Sequence, residues 1–359
     1  MKSEREVPFS DLLNRQLFRL PDAAAQKVAG KTILITGGAG SIGSELLRRL
    51  RELDPATIVA FDNAEDRLYR LHCELQRSGS GGVELVLGDV TSPRELEWVL
   101  EKYSPQLVFH AAAYKHVDFL ETQILAAVRT NVFGTRNVLT KCQSAGVETI
   151  VVLSSDKATN PVSVLGATKR VSELLVTASG GRSNISAVRL CNVLGSAGSL
   201  MPLVLEQAKA GVVRITDNAA ERYFISPDEA AELLLSAASV REQGVLIPMC
   251  ASRLNIRELA SRIVEEMGPG LAKVRMEIVG LRPGERLSEE LYQSSELVIP
   301  SDAPGLLKAT ATNHVSVDDG LRELEDAFST RDEGLVIESL MNLVPDYRPS
   351  QKVSIPLSQ

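Results

Sequence analysis

The chain has 359 residues, of which 44% are apolar and 24% charged, with a formal net charge of −7 and a mean hydropathy near zero. That length supports a large core in more than one lobe, and the acidic balance without a dense basic tract excludes non-specific nucleic-acid binding. No apolar run reaches the ~18 residues of a membrane span and no signal peptide opens the sequence, so a cytoplasmic protein is expected. Four scattered cysteines (Cys73, Cys142, Cys191, Cys250) lack a CxxC pair, and His72, His110, His116 and His314 lack metal-ligand spacing. Buried free thiols and no metal site are the expectation.

In chain order, short runs rich in Val, Ile and Leu predict buried strands at Thr32–Thr36, Thr57–Asp62, 83–90, 106–112, Thr149–Ser155 and 185–190. Between them, amphipathic stretches at 41–53, 63–77, 92–103 and 131–145 predict helices, with loops at 77–82 and 179–183. This βαβα alternation predicts an α/β fold: a Rossmann-type doubly wound parallel sheet with a smaller C-terminal α/β lobe for substrate. In that lobe, helices are expected at 227–239 and 255–267 and short strands at 212–216, 245–250 and 274–280. The expected divisions are an N-terminal arm (1–28), a dinucleotide domain (29–200) to which later segments return, and a mainly substrate-binding lobe with the tail (201–359).

The first predicted strand runs directly into Gly37-Gly38-Ala39-Gly40-Ser41-Ile42-Gly43, and a helix follows. Glycines at 37, 40 and 43 permit a tight turn, close backbone approach to a diphosphate and helix–strand packing; the anion sits at the helix N-terminus, where free N–H groups favour it. Asp62 ends the next strand, nineteen residues past Gly43, where a carboxylate binds a ribose diol and repels a 2′-phosphate. NAD is therefore expected, with NADP as the alternative that Arg67, one helical turn on, would serve. Asp89, before Val90, is placed either to accept from an adenine amino group or to stand as a helix N-terminal carboxylate.

These segments resemble the extended short-chain dehydrogenase/reductase superfamily, and more narrowly its polysaccharide-biosynthesis branch of UDP-N-acetylglucosamine 4,6-dehydratases. The resemblance runs from about residue 11 to residue 291, through 36–43 (TGGAGSIG), 110–117 (HAAAYKHV), 130–135 (TNVFGT), 154–160 (SSDKATN), 166–170 (GATKR), 189–196 (RLCNVLGS) and 281–285 (LRPGE). The first of these belong to the whole superfamily; SSDKA, GATKR and LRPGE together are far more specific. By this resemblance Gly37, Gly40, Ser41, Ile42, Gly43, Asp62, Asp89, Val90, Ala111, Ala112 and Lys169 hold the cofactor.

A 4,6-dehydratase oxidises the sugar at C4, eliminates water across C5 and C6, and reduces C6. Once C4 is a ketone, one base at C5 and one acid at the C6 hydroxyl suffice. The resemblance makes Asp156 the acid, Lys157 the base, Ser155 the hydrogen-bond partner of the C4 oxygen, and Lys169 the ligand of the nicotinamide ribose. A free lysine has a pKa of about 10.4, so Lys157 has to be desolvated or beside positive charge to act as a base. The superfamily expects tyrosine four residues before Lys169, and this chain has Leu165; Lys157, Asp156, Lys169 through water, Tyr114 and Lys115 are the candidates to take the C4 hydroxyl proton.

At the substrate end, the resemblance points to Lys115, Asn192, Ser199, Thr216, Arg222, Arg282 and Glu285. Arginines pair with phosphate oxygens and glutamate accepts from ribose hydroxyls; Asn131 is expected to hold helix geometry. The segment 9–21 (FSDLLNRQLFRLP) reads either as a docking arm for a second subunit of a homo-oligomer or as a helix packed on its own domain. A soluble UDP-N-acetylhexosamine 4,6-dehydratase is the leading expectation. A nucleotide-sugar C4/C5 epimerase and a non-catalytic NAD(P)-sensing protein are the alternatives.

Overall fold

The computed structural model describes residues 8–79, 81–266, 274–311 and 317–350. The apolar runs form β1 (Thr32–Thr36), β2 (Thr57–Asp62), β3 (Val83–Leu87), β4 (Leu107–His110), β5 (Thr149–Ser155) and β6 (Asn184–Leu190). They are followed by β7 (Asn192–Val193), β8 (Val212–Ile215), β9 (Glu221–Ile225), β10 (Gly244–Pro248), β11 (Ser252–Asn255), β12 (Arg275–Ile278), β13 (Glu296–Pro300) and β14 (Leu306–Ala311). The main sheet has the order β13-β14-β10-β6-β5-β4-β1-β2-β3. It is parallel from β3 to β10, and β14 and then β13 add to its edge in antiparallel pairs. This is a Rossmann-type doubly wound α/β fold, and strand order reverses between β1 and β4.

Alternation along each strand supplies a core on either face. Ile33 and Ile35 pack with Leu46, Leu47 and Leu50 of helix Ser41–Arg51 and with Leu233–Leu235 of helix Pro227–Ala238. Leu34, between them, faces Val138, Val171 and Leu175 on helices Thr135–Ser144 and Val164–Ala178. The C-terminal helices Val317–Thr330 and Glu333–Leu343 complete that second core through Leu324, Val336 and Leu340. Truncating a fully buried leucine such as Leu34 would cost about 2–5 kcal/mol.

A smaller core joins Leu12, Leu13, Val204, Val213, Phe224, Leu259 and Ile263. It lies among helices Phe9–Leu13, Leu200–Lys209 and Ile256–Glu266 and the small sheets β11-β9-β7 and β12-β8. The N-terminal segment therefore packs on its own chain. Arg15 pairs with buried Glu229 and donates to Ser252 at 2.7 Å, and Phe18 N–H donates to Glu229 at 2.8 Å.

Element ends shift where side chains capture backbone groups. The strand expected at 83–90 stops at Leu87, because Asp89 accepts from Thr91 N–H at 2.8 Å and bends the chain. The one expected at 106–112 stops at His110, since Asn131 grips both backbone groups of Tyr114. The helix expected at 131–145 is a wide π-turn, Val128–Gly134, running into Thr135–Ser144. The helix expected at 255–267 is described to Glu266; Met267 and His314 lie outside the described residues.

Candidate active site

The glycine turn lies at the C-terminal end of β1, at the switch point. Gly37 has φ of 71°, and a Cβ there would lie 2.6 Å from the backbone nitrogen of Ala112, so Ala111 and Ala112 form the opposing wall. Asp62 steadies the turn, accepting from Ala39 N–H and from Ala64 N–H, each at 3.0 Å. Those bonds leave further lone pairs on its two oxygens for a diol. The amides of Ser41, Ile42 and Gly43 open helix Ser41–Arg51 and have no intrahelical acceptor. A cradle that no Cβ would fit, at a helix N-terminus with a carboxylate beyond it, suits a dinucleotide diphosphate and ribose.

Asp89 is half-buried and accepts from Asn63 Nδ2 at 3.2 Å and from Thr91 N–H. Burial pushes its carboxyl up, but these bonds outweigh it and the net shift is downward. Val90 is buried against Gly134. Ser41 Oγ accepts from Ala197 N–H at 3.1 Å, which draws the 195–199 loop across the glycine turn.

At the end of β5, two strands from the turn, Ser155 Oγ donates to Asp156 Oδ1 at 2.9 Å. Lys157 Nζ donates to the same oxygen at 3.0 Å and to Asn192 Oδ1 at 3.4 Å. Asp156 is fully buried, and its Oδ2 has no protein partner. A second carboxylate, absent from the sequence-based expectation, completes the cluster: Glu289 Oε1 lies 3.9 Å from Lys157 Nζ and 3.9 Å from Arg222 Nε. Burial lowers the Lys157 pKa, but Asp156 and Glu289 more than reverse that, so the net shift is upward. The desolvation expected of a base is present; the ammonium nevertheless dominates in the resting chain.

Lys169 Nζ donates to Leu153 O at 2.8 Å, and burial, opposed by Glu173, pulls its pKa down to about 8. Leu165 lies one turn earlier on the same helix face, 3% exposed and within the hydrophobic core, where it offers no ionisable atom. Asn131 Oδ1 accepts from Tyr114 N–H at 2.9 Å, and its Nδ2 donates to Tyr114 O and to Thr168 Oγ1, each at 3.1 Å. It joins the 111–116 loop to the helix of Lys169, the geometric role expected of it. His110, between Thr36 and Thr135, is held neutral by burial and by Lys169, at about 3.

The expected substrate residues divide. Asn192 joins the Lys157 cluster and is oriented by its bond to Tyr223 O at 3.0 Å. Arg222 commits its Nη groups to the carbonyls of Glu221, Arg286 and Leu287; it fixes the 286–287 segment and turns only Nε toward Glu289. Glu285 accepts from the backbone N–H of Arg282 at 2.9 Å, and Arg282 pairs with Asp118 at 3.3 Å, so this loop meets the segment after 110–117. Ser199 and Thr216 carry buried hydroxyls without protein partners. Lys115 is pulled below its ordinary pKa by partial burial and by Arg67.

A glycine cradle at the switch point, with a Ser-Asp-Lys strand end and a helical lysine beyond it, defines an extended short-chain dehydrogenase/reductase. Within that class the chain belongs to the family described as polysaccharide biosynthesis protein, whose family model matches residues 33–311. It is 36% identical over 302 residues to the probable polysaccharide biosynthesis protein EpsC of Bacillus subtilis, covering 82% of this chain and 50% of the relative. The chain thus spans about half the length of such relatives. It is 32% identical to the inverting UDP-N-acetylglucosamine 4,6-dehydratase of Campylobacter jejuni (74% of this chain, 79% of that one). With the UDP-glucose 4-epimerase of Rickettsia canadensis it shares 31% identity (76% and 80%). The solved structure of Pen from Bacillus thuringiensis superposes with a TM-score of 0.73 at 29% identity, over 83% of this chain and 98% of that one. Among the described residues no helix is long and apolar enough to cross a membrane.

Proposed function

We propose that this chain catalyses the 4,6-dehydration of a UDP-N-acetylhexosamine, UDP-N-acetylglucosamine first among them, with NAD as its resident cofactor. The observation that carries the reading is the Asp156–Lys157 pair, held by Ser155, Asn192 and Glu289 at the C-terminal edge of the sheet that also carries the glycine cradle. The similarity to the Campylobacter dehydratase supports the substrate class. Asp62 beside the ribose position favours NAD over a 2′-phosphorylated cofactor.

The cradle of Gly37, Gly40 and Gly43, with Asp62, would hold NAD, which when bound would supply reversible two-electron redox chemistry to the sugar. Ser155 orients the C4 oxygen. Asp156, whose Oδ2 is uncommitted, takes the C4 hydroxyl proton in place of the absent tyrosine and delivers it to the departing C6 hydroxyl. Lys157 as the amine removes the C5 proton, acidified by the C4 ketone, and returns it after water has left. Asn192 steadies the Lys157 ammonium, and Lys169 holds positive charge beside the ribose.

Incubation with UDP-N-acetylglucosamine in D₂O, followed by mass spectrometry and proton NMR, tests the reading. Loss of water with deuterium at C5 is the expected result. Epimerisation at C4, which the Rickettsia relative favours, would retain the C6 hydroxyl and the mass of the sugar, and would sink the proposal.

A further inference from the structure

We propose that Glu289 stores the proton that Lys157 must shed before it can act as a base, making the buried Glu289–Lys157 pair a proton exchange built into the site. The catalytic consequence rests on the dehydratase reading; the exchange itself does not.

Glu289 follows the 281–285 loop, at a stretch anchored beside β9 by the Glu221 N–H bond to Leu287 O at 2.8 Å and the Glu221–Ser288 bridge. Arg222 reinforces the anchor through the carbonyls of Arg286 and Leu287. The Glu289 side chain is 5% exposed and that of Lys157 18%. The charged groups facing the pair are Asp156 and Arg222 on both partners and Arg286 on Glu289. The neighbouring Cys191 thiol stays neutral, because burial pushes its pKa well up.

Two opposite charges in a desolvated cluster each pay a solvation penalty, and moving one proton from Nζ to Oε1 removes both at once. In the resting chain the ion pair dominates; a sugar nucleotide in the cleft excludes more water and shifts the balance toward the neutral pair. Burial already raises the Glu289 carboxyl while Lys157 opposes that, the behaviour of two groups that titrate together. The 3.9 Å separation is one side-chain adjustment from a hydrogen bond, a spacing common in unliganded active sites.

The step balances. Lys157–NH₃⁺ and Glu289–COO⁻ become Lys157–NH₂ and Glu289–COOH; the amine takes the C5 proton, gives it back after elimination, and Glu289 returns the stored proton. Asp156 meanwhile carries the C4 hydroxyl proton to the leaving water. The cycle takes up no net proton; because the lysine N–H groups exchange with solvent, the amine is deuterated in D₂O and most of what it returns to C5 is deuterium.

The experiment has two arms on the purified 359-residue chain, with Glu289→Gln and Glu289→Asp compared after their folding is checked by circular dichroism. In the first, ¹³C-labelled lysine ε-methylenes are titrated by NMR without substrate, the Lys157 signal being assigned with Lys157→Met. The expected result is a Lys157 pKa lower by about one unit or more in Glu289→Gln. An unchanged titration overturns the proposal whatever the substrate proves to be. In the second, C5 deuterium incorporation is followed against pH. Wild type is expected to be flat across neutral pH, whereas Glu289→Gln is about 100-fold slower at pH 7 and rises about tenfold per pH unit. Glu289→Asp recovers part of the rate, with substrate KM little changed. A Glu289→Gln rate that matches wild type, or is lowered equally at every pH, overturns the relay. A Glu289→Gln shift in the first arm together with a wild type that turns over no UDP-sugar sinks the dehydratase reading and leaves the proton exchange supported.

Discussion

Gly43 and Gly37 are in contact across the glycine turn: a Cβ on Gly43 would sit 2.2 Å from the Gly37 carbonyl oxygen and 2.9 Å from the Gly38 Cα. The obstacles are backbone atoms of the turn proposed to cradle the diphosphate, so no side chain can rotate aside. Gly43→Ala is expected to lower stability by about 1–3 kcal/mol and to weaken NAD binding at least about tenfold. Chemical denaturation and isothermal titration calorimetry with NAD measure the two effects separately. Binding equal to wild type would show that the turn can open without loss of the cradle.

Lys157→Met keeps the apolar stem of the side chain and removes its proton chemistry. C5 deuterium incorporation is expected to fall at least about 100-fold, while NAD affinity stays near the wild-type value, because Lys157 reaches Asp156, Asn192 and Glu289 and not the glycine turn. Fluorescence titration with NAD alongside the exchange assay reads both. Exchange that persists in this variant would move the base elsewhere.

Lys169 links stability to pH. Burial depresses its folded pKa to about 8 from 10.5, so between those values the unfolded chain binds more protons and stability rises with pH. Below pH 8 the folded, cofactor-free chain carries the buried ammonium at its full cost, at most about 3 kcal/mol. Lys169→Met is therefore expected to unfold at higher urea than wild type at pH 7, with the advantage fading toward pH 10, and to lose activity. Comparing the two proteins at both pH values cancels other groups; an advantage unchanged with pH would refute the assignment.

Arg189 is fully buried between Glu173 and Glu296, with bonds of 2.6–2.7 Å to both carboxylates. Burial alone would raise Glu173, but Arg189, with help from Arg170 and Ser154, brings it down to about 2. This contribution to stability is present at neutral pH and lost as pH falls below the ordinary glutamate range toward 2. Arg189→Met leaves two buried carboxylates with only Arg170 between them, and is expected to cost about 3–5 kcal/mol in urea unfolding at pH 7. Adding Glu173→Gln should restore part of the loss.

The doubly wound sheet was legible because its parallel strands are buried on both faces and appear as continuous runs of Val, Ile and Leu. The antiparallel β13 and β14 were not, since strands added at an edge carry half-exposed, interrupted patterns such as Leu297 and Ile299. The C-terminal helices read as weak periodicity, although Leu324, Val336 and Leu340 all enter the core. Glu289 gave no signal: it falls in a polar stretch, and the contacts of Glu221 and Arg222 with residues 286–288 turn it toward Lys157.

Local residue types were enough to specify the glycine turn, the acid that ends β2 and the adjacent Asp156 and Lys157, because strand, turn and dipeptide set backbone shape and chemistry over a few positions. Tertiary structure alone decided that Lys157 rests as an ammonium, that Arg222 holds a loop, and that Glu289 completes the site. Burial and charge proximity between distant segments set protonation, and neither has a counterpart along the linear chain.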